Sequence, residues 1–537
     1  MRRSVAIAGL MLIILSMSGT AIGQPSAPQE RSMTAVEQVL VPRGGSLEAF
    51  YAARAFQVAW MREEQVQGLV EALKGVASDG LNPGDYGADR LLAGYRQALI
   101  SDEHAQARFD IRATRALYTA LRHLHHGKVD PHSIDPQWEV PINERLPPLD
   151  RIIQAVETGQ LAALFDSVRP AYAPYQRLRQ GLTRYRNIQR LGGWPMLPDT
   201  GPVLERGVTH PDVAILRKRL AQIGELEVMA ADITILPEAK LEAPDPQYFD
   251  ASLEAAVRRF QDHHLLEMDG IVGPRTREAL NVPVDRRIDQ IRLNLERARW
   301  LMHGLPEAFV LVDIAGYRVS YFRPNGDVWR SRIVVGQPYR RTPSLRSEIT
   351  HLTVNPTWTV PPTILREDVI PSVRRDPNYL DRRNMQVLTP SGQRLSPGQV
   401  NWSNPGNVMI RQAAGPGNAL GQVVIRFPND HLVYLHDTPA QGLFARQRRA
   451  FSSGCIRVQG VLELAQLLLD DTGSDRDLRA LLADGRTRNV SLVEPMPVIL
   501  HYWTVHPGAG GRLVFRPDIY ARDDALLRAL DRPLASL

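Results

Sequence analysis

Apolar residues recur every three or four positions over much of the first third of the chain, a spacing that predicts amphipathic helices. Turn-forming residues, such as the Asn-Pro-Gly-Asp sequence at 82–85, separate the helical segments. We therefore predict an α-helical domain over residues 46–200, preceded at 24–45 by a flexible lead-in that lacks this period. The clearest helical segments are Ser46 to Met61, Glu64 to Val76 and Ala107 to His126.

A second helical unit, at residues 205–283, has room for three short helices. Pro211 is placed to open the first helix, and Asp250 is placed to cap the second. The third helix is predicted through Thr276 to Leu280, after a turn that contains glycine. A proline-containing stretch between Gly224 and Phe249 interrupts the link between the first two helices, so we predict a three-helix module with an insertion.

From Phe309 the period changes to two, which indicates β-strands. We predict a mainly-β domain at 305–505, followed by an extension at 506–537 that packs on the helical or the β domain. Residues 363–412 interrupt the strand pattern, and we interpret this long insertion as a cap over a functional site. The chain is thus predicted to be a multidomain α+β protein. The predicted strands are Phe309 to Ile314, Arg318 to Phe322, Val328 to Val335, Ile349 to Asn355, Val423 to Phe427 and Leu432 to His436, and a helix is predicted at about Val461 to Leu469.

The start of the chain has the composition of a secretory signal. Arg2 and Arg3 precede an uncharged run from Ser4 to Gly23, whose centre is rich in Leu, Ile and Met. This order predicts a signal peptide at 1–23. Cleavage near Gln24 and retention as a membrane anchor both remain open. In either case the rest of the chain is expected to lie outside the cytoplasm.

Charge and composition exclude several classes of function. The formal net charge of +6 is a mild excess for 537 residues and does not form the basic patch that nucleic-acid binding requires. The sequence contains no metal-ligand spacing and no phosphate-binding loop. We therefore predict no metal, no cofactor and no nucleic-acid partner.

Cys455 is the single cysteine of the chain, so an exported form cannot make an intramolecular disulfide. Small residues precede it at 452–454 and Arg457 follows it, a setting that favours a reactive thiolate. His436, at the end of an apolar strand, is the candidate base. An inert buried thiol and an intermolecular disulfide are the alternatives that the residues alone leave open.

The pairing of His-Asp-Thr at 436–438 with Ser-Ser-Gly-Cys-Ile-Arg at 452–457 resembles the site of YkuD-type L,D-transpeptidases. Supporting segments and the order of domains resemble most the large periplasmic subfamily, which joins a scaffold domain, a peptidoglycan-binding module and a lidded catalytic domain. Asp437 stands where the broader family has glycine, and Ser453 where it has histidine. The group that orients His436 therefore stays open. The supporting segments lie at 257–261, 269–280, 336–338, 354–362 and 434–439.

The resemblance implies that Cys455 attacks a donor tetrapeptide stem, releases D-alanine and forms a thioester, with His436 as general base and acid. An amine of a second stem then completes a 3→3 cross-link, and a carbapenem would acylate the same thiol. The backbone N–H groups of Gly454 and Cys455 are the predicted oxyanion donors, with the Tyr434 hydroxyl as a third and Ser453 as support. Predicted to bind substrate or to order loops are Arg457, Trp358 and Trp402.

Two alternatives keep other functions open. Water in place of the amine would make the enzyme an L,D-carboxypeptidase or endopeptidase, and a vestigial site would leave a non-catalytic cell-wall scaffold protein. The resemblance also implies a periplasmic location and peptidoglycan stem peptides as substrate. The implied partners are cell-wall synthesis enzymes and a D,D-carboxypeptidase that supplies tetrapeptides, and an uncleaved signal would add association with the inner membrane.

Overall fold

The computed structural model describes residues 33–40, 46–138, 140, 146–226, 245–508 and 511–534. The predicted signal peptide at 1–23 lies outside the described residues, as does most of the predicted insertion before Phe249. Within the described ranges, no helix has both the length and the apolar character needed to cross a membrane.

The first part of the chain is helical, as predicted. The apolar faces of its helices meet in one core, except that the helix at Ala173–Arg190 packs into the core of the second unit. Side-chain caps fix several helix ends. For example, the Asp102 carboxylate accepts the Ala105 N–H at 2.7 Å, so that the long helix begins at Glu103 rather than at the predicted Ala107. The helices are α1 (Ala35–Leu40), α2 (Ser46–Ala52), α3 (Glu63–Gly75), α4 (Ala88–Leu99), α5 (Glu103–His126), α6 (Leu149–Thr158), α7 (Leu161–Ser167) and α8 (Ala173–Arg190).

Two predictions near the start of this domain are wrong in part. The lead-in contains α1, whose Val36 and Leu40 are buried in the helical core, so these six residues are ordered. The predicted helix from Ser46 ends at Ala52 instead of Met61. The chain turns there because Ala55 and Phe56 adopt positive φ angles of 52° and 56°, a conformation that ends a helix.

The second unit contains the three predicted helices. Pro211 opens the first, and Asp250 caps the second by accepting the Leu253 N–H at 2.8 Å. A fourth helix then connects this unit to the β domain. The helices are α9 (Pro211–Ile223), α10 (Ala251–His263), α11 (Pro274–Leu280) and the connecting α12 (Val284–Leu301).

Helix α12 ties the domains together through buried polar contacts. Its Glu296 and Arg299 form an ion pair with both side chains fully buried. Glu296 also accepts the Val129 N–H at 2.7 Å, and Arg299 donates to the Asp79 carbonyl at 2.8 Å. Because removal of either partner would leave an uncompensated buried charge, this pair fixes the helical domain on α12.

The β domain is a closed sheet. The eight strands of the ring follow the order β3 (Val328–Gly336), β12 (Ile456–Val458), β10 (Leu435–His436), β9 (Val423–Arg426), β4 (Leu345–Val354), β13 (Arg488–His501), β1 (Phe309–Asp313) and β2 (Arg318–Phe322). The pairing of β2 with β3 closes the ring, and β11 (Ala450–Ser452) adds to the end of β3. Apolar side chains from the strands and from α16 fill the interior. The first four strands, in chain order, are β1 (Phe309–Asp313), β2 (Arg318–Phe322), β3 (Val328–Gly336) and β4 (Leu345–Val354).

The predicted cap at 363–412, here called the lid, is a separate small structure with its own core. Its strands form a four-stranded sheet in the order β5–β8–β6–β7. A π-helical turn at Leu365–Val369 lies between its first two helices. The lid and its base contain β5 (Trp358–Thr359), α13 (Pro362–Ile364), α14 (Ile370–Arg375), α15 (Tyr379–Arg382), β6 (Met385–Leu388), β7 (Arg394–Leu395) and β8 (Met409–Gln412).

After the lid the chain returns to the closed sheet. The predicted strand from Leu432 is only two residues long, since Leu432 has a φ of 54° and the Asn429 side chain bonds both backbone groups of Val433 to form a turn. The elements are β9 (Val423–Arg426), β10 (Leu435–His436), β11 (Ala450–Ser452), β12 (Ile456–Val458), α16 (Val461–Asp471), α17 (Leu478–Ala483) and β13 (Arg488–His501).

The C-terminal extension packs on the helical domain, the three-helix unit and the closed sheet. It contains the hairpin β14 (Val505–Pro507) and β15 (Leu513–Phe515) and the helix α18 (Asp523–Leu530). The hairpin joins the core around α9–α12, and α18 places Leu526 and Leu530 in the helical core. Tyr520, between them, lies in the core of the closed sheet. The extension therefore packs on both domains that the prediction offered as alternatives.

Candidate active site

The register of β10 and β12 brings the predicted catalytic residues to one face of the sheet. These strands are parallel neighbours, with Leu435 opposite Ile456 and His436 opposite Arg457. Leu435 and Ile456 point into the buried core. Since side chains alternate along a strand, His436 and Arg457 point the other way, and Cys455, one residue before Ile456, shares their face. Cys455 thus lies on the strand next to that of His436, level with Tyr434 and two residue positions away from His436 along the strands.

Burial keeps the Cys455 thiol protonated at rest. Loss of solvent raises the pKa of the thiol. Hydrogen bonds from the backbone and side chain of Tyr434 lower this pKa in part, as do the charges of Arg426 and Arg457. Removing the thiol proton therefore requires a base, while the neighbouring donors and cations stabilise the thiolate once it forms.

His436, the predicted base, is in the protonation state that can accept the thiol proton. Its Nδ1 donates to the Asp437 carbonyl at 2.5 Å, which leaves Nε2 as the acceptor. Burial and then the Arg457 charge lower the pKa of His436 to about 3, an effect that the bond to the Asp437 carbonyl only partly offsets. The imidazole is therefore neutral near pH 7. Two backbone carbonyls, those of Asp437 and Leu420, hydrogen-bond to the imidazole and orient it.

The Asp437 carboxylate has a different role. Its Oδ2 accepts the Gln422 N–H at 3.0 Å, and it lies against Gly421, whose φ is 63°. A Cβ at position 421 would lie 2.3 Å from this carboxylate. Asp437, which replaces the glycine of the broader family, therefore holds the loop that precedes β9.

Residues 452–455 carry the predicted nucleophile Cys455 and are here called the nucleophile loop. This loop is closed by its own hydrogen bonds. Ser452 Oγ donates to the Cys455 carbonyl at 2.6 Å and accepts the Gly454 N–H at 3.2 Å. The Gly454 N–H, predicted as an oxyanion donor, is thus used within the loop, and its catalytic role stays a prediction. Across the described residues the Cys455 N–H makes no hydrogen bond, so it and the Tyr434 hydroxyl are the remaining predicted donors.

A residue of the C-terminal extension supports this loop. The Tyr520 hydroxyl accepts the Thr342 N–H at 3.1 Å and donates to the Gly336 carbonyl at 2.8 Å. Thr342 Oγ1 in turn donates to the Gly454 carbonyl at 2.7 Å, next to Cys455. This chain of buried bonds links the extension to the nucleophile. The sequence carries no signal for it, since Tyr520 lies far from the motif.

Replacing Tyr520 by phenylalanine is expected to lower kcat about 10-fold while KM stays within twofold, because a nucleophile loop that loses its support is less well placed for attack. The alkylation rate of Cys455 by iodoacetamide should fall as well. Tyr95→Phe is the matched control, since the Tyr95 hydroxyl donates to the Met61 carbonyl in the helical domain. Equal effects of the two variants on kcat would show that Tyr520 supports folding only.

The other predicted site residues fall into two groups. The Arg457 charge lowers the pKa of both predicted catalytic residues, and its Nε is buried with no hydrogen-bond partner among the residues that the structure describes. Ser453 Oγ accepts a hydrogen bond from Arg340 at 2.8 Å, a partner that sequence reasoning missed. Trp358 and Trp402 pack against the lid core, and the Trp402 indole donates to Pro397 within the lid. The structure therefore brings Arg457 and Ser453 to Cys455, whereas the contacts of the two tryptophans lie in the lid.

Comparison with known proteins agrees with this domain order. Residues 45–182 match the model of a scaffold domain, 209–280 that of a peptidoglycan-binding domain, and 307–487 that of the YkuD family, described as an L,D-transpeptidase catalytic domain. In the part of the chain that the structure describes, no group of three or more His, Cys, Asp or Glu residues is arranged to hold a metal ion.

Two individual proteins are similar to parts of the chain. A Haemophilus influenzae protein with the name "Putative L,D-transpeptidase" is 36% identical over 218 residues, which is 40% of this chain and 44% of that protein. The solved L,D-transpeptidase structure (residues 123–326) from Xylanimonas cellulosilytica is 15% identical and covers 57% of this chain and all of its own, but its TM-score of 0.18 is too low to support an argument. The chain thus carries a YkuD-family L,D-transpeptidase catalytic domain joined to a scaffold domain and a peptidoglycan-binding domain.

Proposed function

We propose that this protein forms 3→3 cross-links in peptidoglycan as an L,D-transpeptidase, with Cys455 as nucleophile and His436 as general base and acid. The observation that carries the proposal is the shared face of β10 and β12, where a protonated thiol lies one strand from a neutral imidazole. Such a pair suits acyl transfer, because the base is free to take the thiol proton as attack begins.

In the acylation step, Cys455 Sγ bonds to the carbonyl carbon of the third residue of a donor tetrapeptide, and its proton passes to His436 Nε2. The oxyanion that forms faces the Cys455 N–H and the Tyr434 hydroxyl. The bond to the terminal D-alanine then breaks, and the imidazolium returns its proton to the leaving amine. The product of this step is a thioester on Cys455.

In the transfer step, an amine on the side chain of a second stem attacks the thioester carbonyl. His436 takes a proton from this amine, and the S–C bond breaks to restore the thiol. The peptidoglycan-binding domain and the lid support a polymeric wall substrate over a small soluble one. We place the protein in the periplasm, with cell-wall synthesis enzymes and a D,D-carboxypeptidase that makes tetrapeptides as its partners, and with inner-membrane association if the signal is retained.

Incubation of the exported part of the chain with purified disaccharide-tetrapeptide tests this proposal by product mass. A dimer that has lost one D-alanine is the expected product. Tripeptide alone would identify water as the acceptor and make the enzyme a carboxypeptidase. If neither product formed while the protein still bound peptidoglycan, a non-catalytic role in the wall would replace the proposal.

A further inference from the structure

Arg340 forms a bridge between the lid and the nucleophile loop. Its Nη1 donates to Ser453 Oγ at 2.8 Å and to Asp368 at 2.5 Å. Its Nη2 donates to Glu367 at 2.7 Å and to the second oxygen of Asp368 at 3.2 Å. Glu367 and Asp368 belong to the π-helical turn of the lid. One guanidinium therefore joins two lid carboxylates to a residue that lies two positions before Cys455.

The two sides of this bridge differ in rigidity. Arg340 lies in a tight turn after β3, where a Cβ on Gly336 would come within 2.1 Å of the Arg340 carbonyl. The Gln337 N–H of the same turn donates to the Ser452 carbonyl at 3.0 Å. The turn and the nucleophile loop are thus one rigid unit, and the Arg340 side chain is only 11% exposed.

The lid side is open to water. The side chains of Glu367 and Asp368 are 43% and 49% exposed, so their ion pairs with Arg340 are screened and individually weak. Glu367 has a second partner in the exposed Arg366, at 3.1 Å, which can hold its carboxylate once Arg340 is withdrawn. Displacing these lid carboxylates from Arg340 by another carboxylate therefore costs little free energy.

We propose that Arg340 is the receptor for a carboxylate of the donor stem, and that Glu367 and Asp368 occupy this receptor until the donor displaces them. The inference rests on the proposed function, because a donor tetrapeptide carries a carboxylate on its terminal D-alanine and another on its third residue. A planar guanidinium binds carboxylate with two parallel hydrogen bonds, and Ser453 keeps it aimed at the loop of Cys455. Arg340 would then select donors by charge, and the lid would open as the donor binds.

Binding measured in a Cys455→Ala background separates this inference from catalysis. Titration calorimetry would compare the tetrapeptide with two analogues, one amidated at the C-terminus and one amidated on the side-chain carboxylate of the third residue. The Cys455→Ala protein is expected to bind the parent peptide about 10- to 100-fold more tightly than one of the analogues, and the analogue that loses affinity identifies the carboxylate. When Arg340→Gln is added to the Cys455→Ala protein, the parent peptide and the analogue that lost affinity should bind equally weakly.

Two further variants test whether the donor displaces Glu367 and Asp368 from Arg340. Glu367→Gln combined with Asp368→Asn should tighten binding of the parent peptide several-fold and leave the analogue that lost affinity unchanged. Arg374→Gln removes one positive charge from an exposed position of the lid and should keep the full preference. A preference for the parent that survives Arg340→Gln would overturn the inference, as would equal binding of all three peptides by the Cys455→Ala protein. Charge-selective binding without turnover of the wild type would instead overturn the proposed function alone.

Discussion

Replacing Cys455 by alanine is expected to abolish turnover of tetrapeptide stems and to abolish the covalent adduct that a carbapenem forms with the wild-type protein. The chain has one cysteine, so no second thiol can take over the attack. The neighbouring hydroxyls already make hydrogen bonds, because Ser452 Oγ donates to the Cys455 carbonyl and Ser453 Oγ accepts from Arg340. Intact-protein mass spectrometry should show one antibiotic mass added to the wild type and none added to Cys455→Ala.

Cys455→Ser is the matched control for this experiment. It keeps the size and hydrogen-bonding capacity of the side chain but replaces the thiol by an alcohol that a neutral imidazole activates poorly outside a dedicated serine site. Turnover should fall below detection in both variants, while the midpoint of thermal unfolding stays close to that of the wild type. A carbapenem adduct or cross-linked dimer formed by Cys455→Ala would show that the nucleophile lies elsewhere.

Local patterns in the sequence were enough to predict the helical domain, the three-helix module and most strands of the β domain. Periodicity reports which face of an element is buried. The alternating burial along β2 follows it closely, whereas the last four residues of β3 are all buried. The predicted cap by Asp250 is confirmed for the same reason, since a cap depends on residues three positions apart. Closure of the sheet was not predicted, because periodicity does not report which strands are neighbours.

Two of the errors, the end of the helix from Ser46 and the start of the strand at Leu432, have a common physical cause in residues other than glycine that adopt positive φ. Ala55, Phe56 and Leu432 turn the chain where their residue types favour continuation of the helix or strand. Tertiary contacts hold these residues in place, and for Leu432 the contact is the Asn429 side chain, which bonds both backbone groups of Val433. A single sequence does not display such contacts.

The catalytic pair was predicted from residue types and a motif, whereas the groups around it were not. Thr342 and Tyr520 are 178 residues apart in the chain, and Arg340 is 113 residues from Ser453. Neither pair contains an unusual residue type, so no local sequence pattern indicates these contacts. The Gly454 N–H, predicted as an oxyanion donor, donates to Ser452 of the same loop, a contact that the motif does not display.

Replacing His436 by asparagine is expected to lower kcat/KM for tetrapeptide donors about 10²- to 10⁴-fold, the usual contribution of a general base. The asparagine amide can still donate to the Asp437 carbonyl in place of Nδ1, so the variant removes chiefly the proton acceptor at Nε2. Steady-state kinetics with the purified disaccharide-tetrapeptide would measure the loss, and the Tm should change little. Turnover within threefold of the wild type would exclude His436 as the base.

The pH dependence of the wild type follows from the same two groups. Because burial raises the pKa of Cys455 and lowers that of His436 to about 3, the resting pair is a thiol and a neutral imidazole across neutral pH. Alkylation of Cys455 by iodoacetamide should therefore accelerate steadily as pH rises from 5 to 9, as the thiolate fraction grows. An imidazolium–thiolate pair would instead give a rate that is already at its plateau near pH 6. In His436→Asn the rise should persist, since the asparagine removes the base without removing the burial that sets the pKa of the thiol.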